Sequence, residues 1–224
     1  IADDATLEQL RDIYDWCFSD DADGKVGRKA LGGVDDQGRQ ALPQVLRPSK
    51  ARPELLETAF VQHARRIAEA VFGETVKLNG EHMILKPAGY GVATPWHQDQ
   101  AYHNPAFHYR NINFWLPLDG ATIEGGCMQF VAASHRGPIL PHTHLEPDNP
   151  ETAMVAQDQD YWSLNGTPVP CPVGSCSMHH SYMLHYAGPN LTDNPRRAYI
   201  VVFGCEPTEV QRPWTLPWQE QTPG

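Results

Sequence analysis

Asn111-Ile112-Asn113-Phe114-Trp115-Leu116 alternates strictly, with one set of side chains at odd positions and an apolar set at even ones. A period of two is the signature of a β-strand, because successive side chains leave opposite faces of the pleat. Asn111, Asn113 and Trp115 therefore share a face. Outward from this run, strand character recurs in short pieces: Val76 to Leu78, Met83 to Leu85, Cys127 to Val131, Ser175 to Met178 and Tyr199 to Phe203. Twenty prolines and eighteen glycines provide the turns between them. The N-terminal third reads differently. Leu7, Leu10, Tyr14, Cys17 and Phe18 fall at helical spacing, and Thr6 with Gln9 is placed for a capping box. A second helix is expected to open at Pro53, run through Leu56, Phe60, Ala64, Ile67 and Val71, and end at Gly73. Residues 19–50 read as polar loop. The expected architecture is mainly β with flanking helices, a sandwich or jelly roll under a helical layer at 1–75. Residues 138–170 are rich in Pro, Asp and Gln, and their length suggests a lid-like insertion.

The chain has 224 residues, enough for one domain spanning 1–224 with a substantial core. A net charge of −10 argues against nucleic-acid or anionic-membrane partners, whose affinity rests on basic patches. No stretch approaches the roughly 20 apolar residues of a membrane span. The five cysteines Cys17, Cys127, Cys171, Cys176 and Cys205 form no CxxC, so reduced thiols and a cytoplasmic location are the expectation. Ser19-x-Asp21-x-Asp23-Gly24 imitates the start of a calcium loop, but position 30, where the bidentate Glu belongs, is Ala30. An acidic solvated turn is the better reading.

Nine of eleven histidines lie between His97 and His185. Within His97-Gln98-Asp99 the period of two would aim imidazole and carboxylate to one side. One distant histidine would complete a 2-His-1-carboxylate triad, which leaves iron positions open for a chelating cosubstrate and O2. HxD alone is feeble in so histidine-rich a chain and reads first as a buried strand histidine. His185 strengthens it. A turn-rich segment at 187–195 follows, then Arg196-Arg197 opens an apolar strand, which a hairpin would lay antiparallel to the strand bearing His185. A guanidinium fork in an uncharged barrel suits a carboxylate. One arginine of the pair is expected at the surface, beside acidic residues. His179-His180 competes with His185 for the third ligand position.

At this point the sequence resembles a family. Met-Ile-Leu-Lys-Pro-Ala-Gly-Tyr-Gly at 83–91, Pro-Trp-His-Gln-Asp-Gln-Ala-Tyr at 95–102, Asp-Gly-Ala-Thr-Ile-Glu-Gly-Gly-Cys-Met at 119–128, Ser-His-Arg-Gly at 134–137 and His-Tyr-Ala-Gly-Pro-Asn-Leu-Thr-Asp-Asn-Pro-Arg at 185–196 look like the phytanoyl-CoA dioxygenase family. The resemblance implies a double-stranded β-helix core over about 76–210, Fe(II) as metal, 2-oxoglutarate as cosubstrate and O2 as oxidant. It implies that His97, Asp99 and His185 hold the iron. Arg196, eleven positions after His185, would grip the distal carboxylate of 2-oxoglutarate, with Trp115 lining that pocket. Gln98, Asn113 and Tyr102 would stand near the cosubstrate and the mouth. Family members often carry a hydroxyl two residues after the second histidine, where this chain has Ala187. With Asp99 present, the resemblance implies hydroxylation or desaturation in preference to halogenation.

From Gly137 to Pro195 there is no lysine or arginine, while Glu146, Asp148, Glu151, Asp158, Asp160 and Asp193 are present. If this stretch covers the site, its potential would attract a cationic, amine-bearing small molecule of the kind found in secondary metabolism. The bland alternative is an acidic solvated surface. Two rival classes share the scaffold: a metal-dependent isomerase or lyase of cupin type, which needs no cosubstrate arginine, and a non-catalytic binding module.

Overall fold

The run at 111–116 becomes the strand Asn111–Pro117, buried along its whole length. Its two faces are buried by different partners. Ile112, Phe114 and Leu116 join Leu7, Leu10 and Tyr14 of one helix and Phe60, Val61 and Ala64 of another in the outer core. Trp115 lies in an inner cluster with Met128, Ala187, Ala198 and Ile200. The alternation therefore separates a helix-packing face from a face that looks into the protein.

The computed structural model describes residues 1–31, 37–146, 149 and 152–219. A six-stranded antiparallel sheet runs in the order Gly27–Ala30, Pro43–Leu46, Lys77–Lys86, Arg196–Gly204, Asn111–Pro117, Ser177–His180. A second sheet, of four strands, runs Thr167–Val169, Met128–Phe130, His185–Ala187, Thr94–His97. Together they make the jelly-roll core. The two expected pieces at 76–78 and 83–85 are one ten-residue strand, whose burial alternates where it lies beneath the helices. Helices Asp4–Phe18 and Ala59–Phe72 cover the outer face of the large sheet.

Several local expectations are corrected. The first helix is capped by Asp3, whose Oδ1 accepts from Thr6 N at 2.9 Å, so no capping box starts at Thr6. Pro53 opens a separate 3-10 turn, Pro53–Glu57, and the α-helix begins at Ala59. Gly73 ends that helix at φ 72°, a left-handed conformation that costs glycine little. Residues 19–50 contribute two strands to the large sheet. Within the 138–170 stretch, His142–His144 pairs with Met154–Ala156, and the helix Gln159–Asn165 follows. At 20–24 the chain makes a 3-10 turn whose Asp23 pairs with Arg28. All five cysteines are free. Among the described residues, no helix is long and apolar enough to cross a membrane.

Candidate active site

His97 and His185 are direct partners in the antiparallel pairing of Thr94–His97 with His185–Ala187. That register brings their ring centroids to 4.1 Å. Gln98 stays extended (φ −118°, ψ 129°), so the period of two carries through to Asp99, which opens a short 3-10 turn. Asp99 Oδ1 lies 3.6 Å from His97 Nε2 and 3.8 Å from His185 Nε2. One donor atom from each of the three residues falls within 4.8 Å of the others.

The surrounding contacts leave each of those atoms free to bind a cation. His97 Nδ1 donates to Pro95 O at 2.8 Å and His185 Nδ1 to Met183 O at 2.9 Å, which keeps the Nε2 lone pairs facing inward. The other oxygen of Asp99, Oδ2, accepts from Asn113 Nδ2 at 2.8 Å and lies 3.4 Å from His179 Nε2. His179 thus approaches the other oxygen of the carboxylate and is not one of the three converging donors. Burial opposes ionisation of Asp99, but His185, His179 and His97 together hold its carboxyl well below the usual carboxylate range. Burial, with His97 nearby, pushes His185 well below an ordinary histidine value. An ionised carboxylate and a neutral imidazole are the states a divalent cation requires.

Arg196 does not face His185 across a hairpin. Its strand pairs with Lys77–Lys86 and Asn111–Pro117 in the large sheet, whereas His185 belongs to the small one. The segment between them crosses from sheet to sheet. It is held by the fully buried Asn190, whose amide donates to Lys86 O, Pro87 O and Asn194 O. Arg196 reaches the site by parity: it shares the inward face of its strand with Ala198 and Ile200, while Tyr199, Val201 and Phe203 enter the outer core. Arg197, on the outward face, is the surface arginine, paired with Asp15 and Asp119.

One inner pocket contains His97, Asp99, His185, Asn113, Trp115 and Arg196 together. The Arg196 guanidinium lies 5.2 Å from the Trp115 ring centroid. It is 4% exposed, and among the described residues its Nε and Nη1 have no hydrogen-bond partner. Burial lowers its pKa to about 10, so it remains charged at neutral pH. A buried cation with two idle donors is costly unless an anion meets it. A dicarboxylate beside a three-ligand metal position fits both requirements.

Gln98 is not in this pocket. Its side chain turns to the opposite side of the backbone and bonds to Pro138, Leu140 and Tyr182. Tyr102 meets the cluster through its ring, edge-on to His97 at 6.3 Å, and lines the neighbouring pocket that holds Asp99; its hydroxyl accepts from Met154 N at 2.7 Å. The sequence reading missed Thr94 and His82, both pocket-lining. Thr94, at odd spacing from His97, carried no periodic signal and reaches the pocket through the register shift in its pairing with 185–187. His82 could have been found by alternation from Ile84. The C-terminal Trp218, which donates to Ala101 O at 3.0 Å and packs beside the Asp99 turn, carried no periodic signal.

EvdO2 from Micromonospora carbonacea var. aurantiaca, in a structure complexed with 2-oxoglutarate, is similar at 37% identity with a TM-score of 0.83, over 97% of this chain and 88% of that one. Methylphosphonate hydroxylase from Gimesia maris is 30% identical over 173 residues, 70% of this chain and 61% of that protein. A phytanoyl-CoA dioxygenase domain-containing protein 1 homolog from Caenorhabditis briggsae is 23% identical over 184 residues, 76% of this chain and 63% of that protein. The chain thus spans less than two thirds of the length of these two curated relatives. The family model for phytanoyl-CoA dioxygenase (PhyH) matches residues 33–198. That span takes in all three converging ligands and the buried arginine beside them, and the chain belongs to the phytanoyl-CoA dioxygenase family.

Proposed function

We propose that this chain is a non-haem Fe(II)- and 2-oxoglutarate-dependent dioxygenase. It oxidises a C–H bond of a small, uncharged polar metabolite and releases succinate and CO2. The observation that carries the reading is the unpartnered Arg196 guanidinium in the same pocket as His97, Asp99 and His185. Iron bound there with its cosubstrate supplies the oxidative chemistry. The protein supplies the rest. Arg196 binds the distal carboxylate as a fork, and Trp115 walls the pocket beneath it. Asn113 keeps Asp99 Oδ1 turned inward by holding Oδ2. Buried Lys86 donates to Ala187 O and Gly188 O and fixes the backbone that follows His185. A metal-dependent isomerase or lyase that uses no 2-oxoglutarate would have no use for the arginine.

Anaerobic addition of Fe(II) and 2-oxoglutarate is expected to give a weak visible band near ~500 nm, from bidentate chelation. A silent spectrum would refute the proposal.

Ala187 has no hydroxyl at the position where the family resemblance implies one. Thr94 is its direct partner on the neighbouring strand and lines the same pocket as Arg196. Thr94 is thus placed to supply the missing hydroxyl to the cosubstrate. One neutral hydrogen bond contributes about 0.5–1.5 kcal/mol, so Thr94→Val should weaken 2-oxoglutarate binding by roughly 2–10-fold. Anaerobic titration of the visible band measures this, and an unchanged midpoint would remove Thr94 from the cosubstrate site.

The substrate side is a pocket of about 460 Å³ that shares Asp99 and Asn113 with the metal site. Asn79, Asn104, Asn111, Tyr109, His103 and Ser181 line it, and among the described residues no lysine or arginine does. Among the described residues, Glu146, Asp158, Asp160 and Asp193 do not line it and are exposed. Asp148 and Glu151 lie outside the described residues. An amine would find no carboxylate there except the ligand Asp99, and a phosphonate or coenzyme-A ester would find no cation. Amide, imidazole and hydroxyl groups instead match a neutral substrate rich in hydroxyl or amide groups. A panel of polyols and glycosides, amines and acyl-CoA esters, scored by succinate release, tests this. Stimulation confined to amines would restore the cationic reading suggested by the acidic stretch.

A further inference from the structure

Gln98 stands between two proposed ligands yet points away from them. It is 1% exposed, and its amide is saturated. Nε2 donates to Tyr182 O at 2.9 Å and to Pro138 O at 3.2 Å, while Oε1 accepts from Leu140 N at 2.7 Å. Its backbone N–H donates to His142 Nε2 at 3.1 Å. His142 Nδ1 lies 2.7 Å from Leu140 O and must donate there, which fixes the tautomer whose Nε2 can accept. One residue thereby ties the His97–Asp99 segment to 138–142 on one side and to Tyr182 on the other. Tyr182 is next to Met183, whose carbonyl receives the Nδ1–H of His185. The network therefore reaches all three ligands without touching the pocket.

We infer that Gln98 and His142 are positioning residues that set the spacing among His97 Nε2, Asp99 Oδ1 and His185 Nε2. The inference rests on the metal-site reading above. The three ligands belong to two strands and a turn, and strand pairing fixes only the two histidines relative to each other. Asp99 lies past the end of its strand, in the first position of a 3-10 turn, where ladder hydrogen bonds no longer determine the backbone. Ligand sites work only when held within about 0.5 Å of the productive geometry by a supporting shell. At Asp99 the side-chain shell is Asn113 and His179; the backbone shell is Gln98 and His142. A fully satisfied buried network is stiff, and that stiffness is what a carboxylate on a turn needs.

The test is Co(II) binding to the apoprotein, followed by ligand-field absorption, well below each variant's melting temperature. His142→Phe keeps a ring and loses the acceptor. His142→Gln keeps an acceptor. Gln98→Met keeps the length and loses every amide contact. Leu10→Ala destabilises the distant helical layer and serves as the stability control. His142→Phe and Gln98→Met should bind Co(II) about 10–100-fold more weakly, with an altered spectrum, as is usual for loss of outer-shell partners. His142→Gln should recover most of that loss, and Leu10→Ala should lower Tm with unchanged Co(II) affinity. Wild-type affinity and spectrum in both His142→Phe and Gln98→Met would overturn the inference, as would a His142→Gln no better than His142→Phe. If His142→Phe does not fold, Gln98→Met decides alone. A wild-type protein that binds no Co(II) would instead sink the metal-site reading itself.

Discussion

Asp99→Ala is expected to lower turnover by on the order of 10³-fold or more and to lose most of the bound iron. Its Oδ1 faces both histidine Nε2 atoms, and it is the only anion of the three converging ligands. Metal chemistry of this kind is worth several kcal/mol of transition-state stabilisation, and each ~1.4 kcal/mol is a factor of ten. The substitution also strands the Asn113 amide, which now donates to Oδ2. Iron content after gel filtration and 2-oxoglutarate consumption measure the two effects, which should fall together. Undiminished turnover in this variant would mean that the chemistry lies elsewhere. Asp99→Asn, which keeps the shape without the charge, separates geometry from charge and should lie between the two.

Arg196→Leu should move function and stability in opposite directions. Two charge-assisted hydrogen bonds to the cosubstrate carboxylate contribute about 1.5–3 kcal/mol each, so their loss raises the Kd for 2-oxoglutarate by on the order of 10²–10³-fold or more. The apoprotein gains, because a buried guanidinium with idle Nε and Nη1 is exchanged for an apolar side chain beside Trp115 and Ile200. Its Tm should rise above that of the wild type. Wild-type protein loaded with metal should gain about 2.7 kcal/mol at a 2-oxoglutarate concentration of a hundred times its Kd, and the variant at most about 0.4 kcal/mol at that concentration. Arg196→Lys should rescue poorly, since a point charge cannot present two parallel donors. Thermal melts with and without 2-oxoglutarate read both signs in one experiment. A variant with wild-type 2-oxoglutarate affinity would remove Arg196 from the site.

Much of this site was legible in the chain because it is encoded by period two. Parity along 111–117 places Asn113 and Trp115 inward, and parity along 196–204 sends Arg196 inward and Arg197 to Asp15 and Asp119. Parity also carries from His97 to Asp99 through an extended Gln98. The same rule applied to Gln98 would have turned it away from the cosubstrate, where the structure finds it.

The alternating pattern determined by itself that the chain is mainly β, and which side chains share a face: Ile112, Phe114 and Leu116 on one, Asn113 and Trp115 on the other. Those properties follow from local backbone geometry, which every strand carries with it. Only the tertiary structure decided that His185 and Arg196 lie on different sheets, that Thr94 stands opposite Ala187, and that His142 and the C-terminal Trp218 close on the Asp99 turn. These are pairings between segments distant in sequence, chosen by register and packing against one another, and no local period records which distant segment a strand will meet.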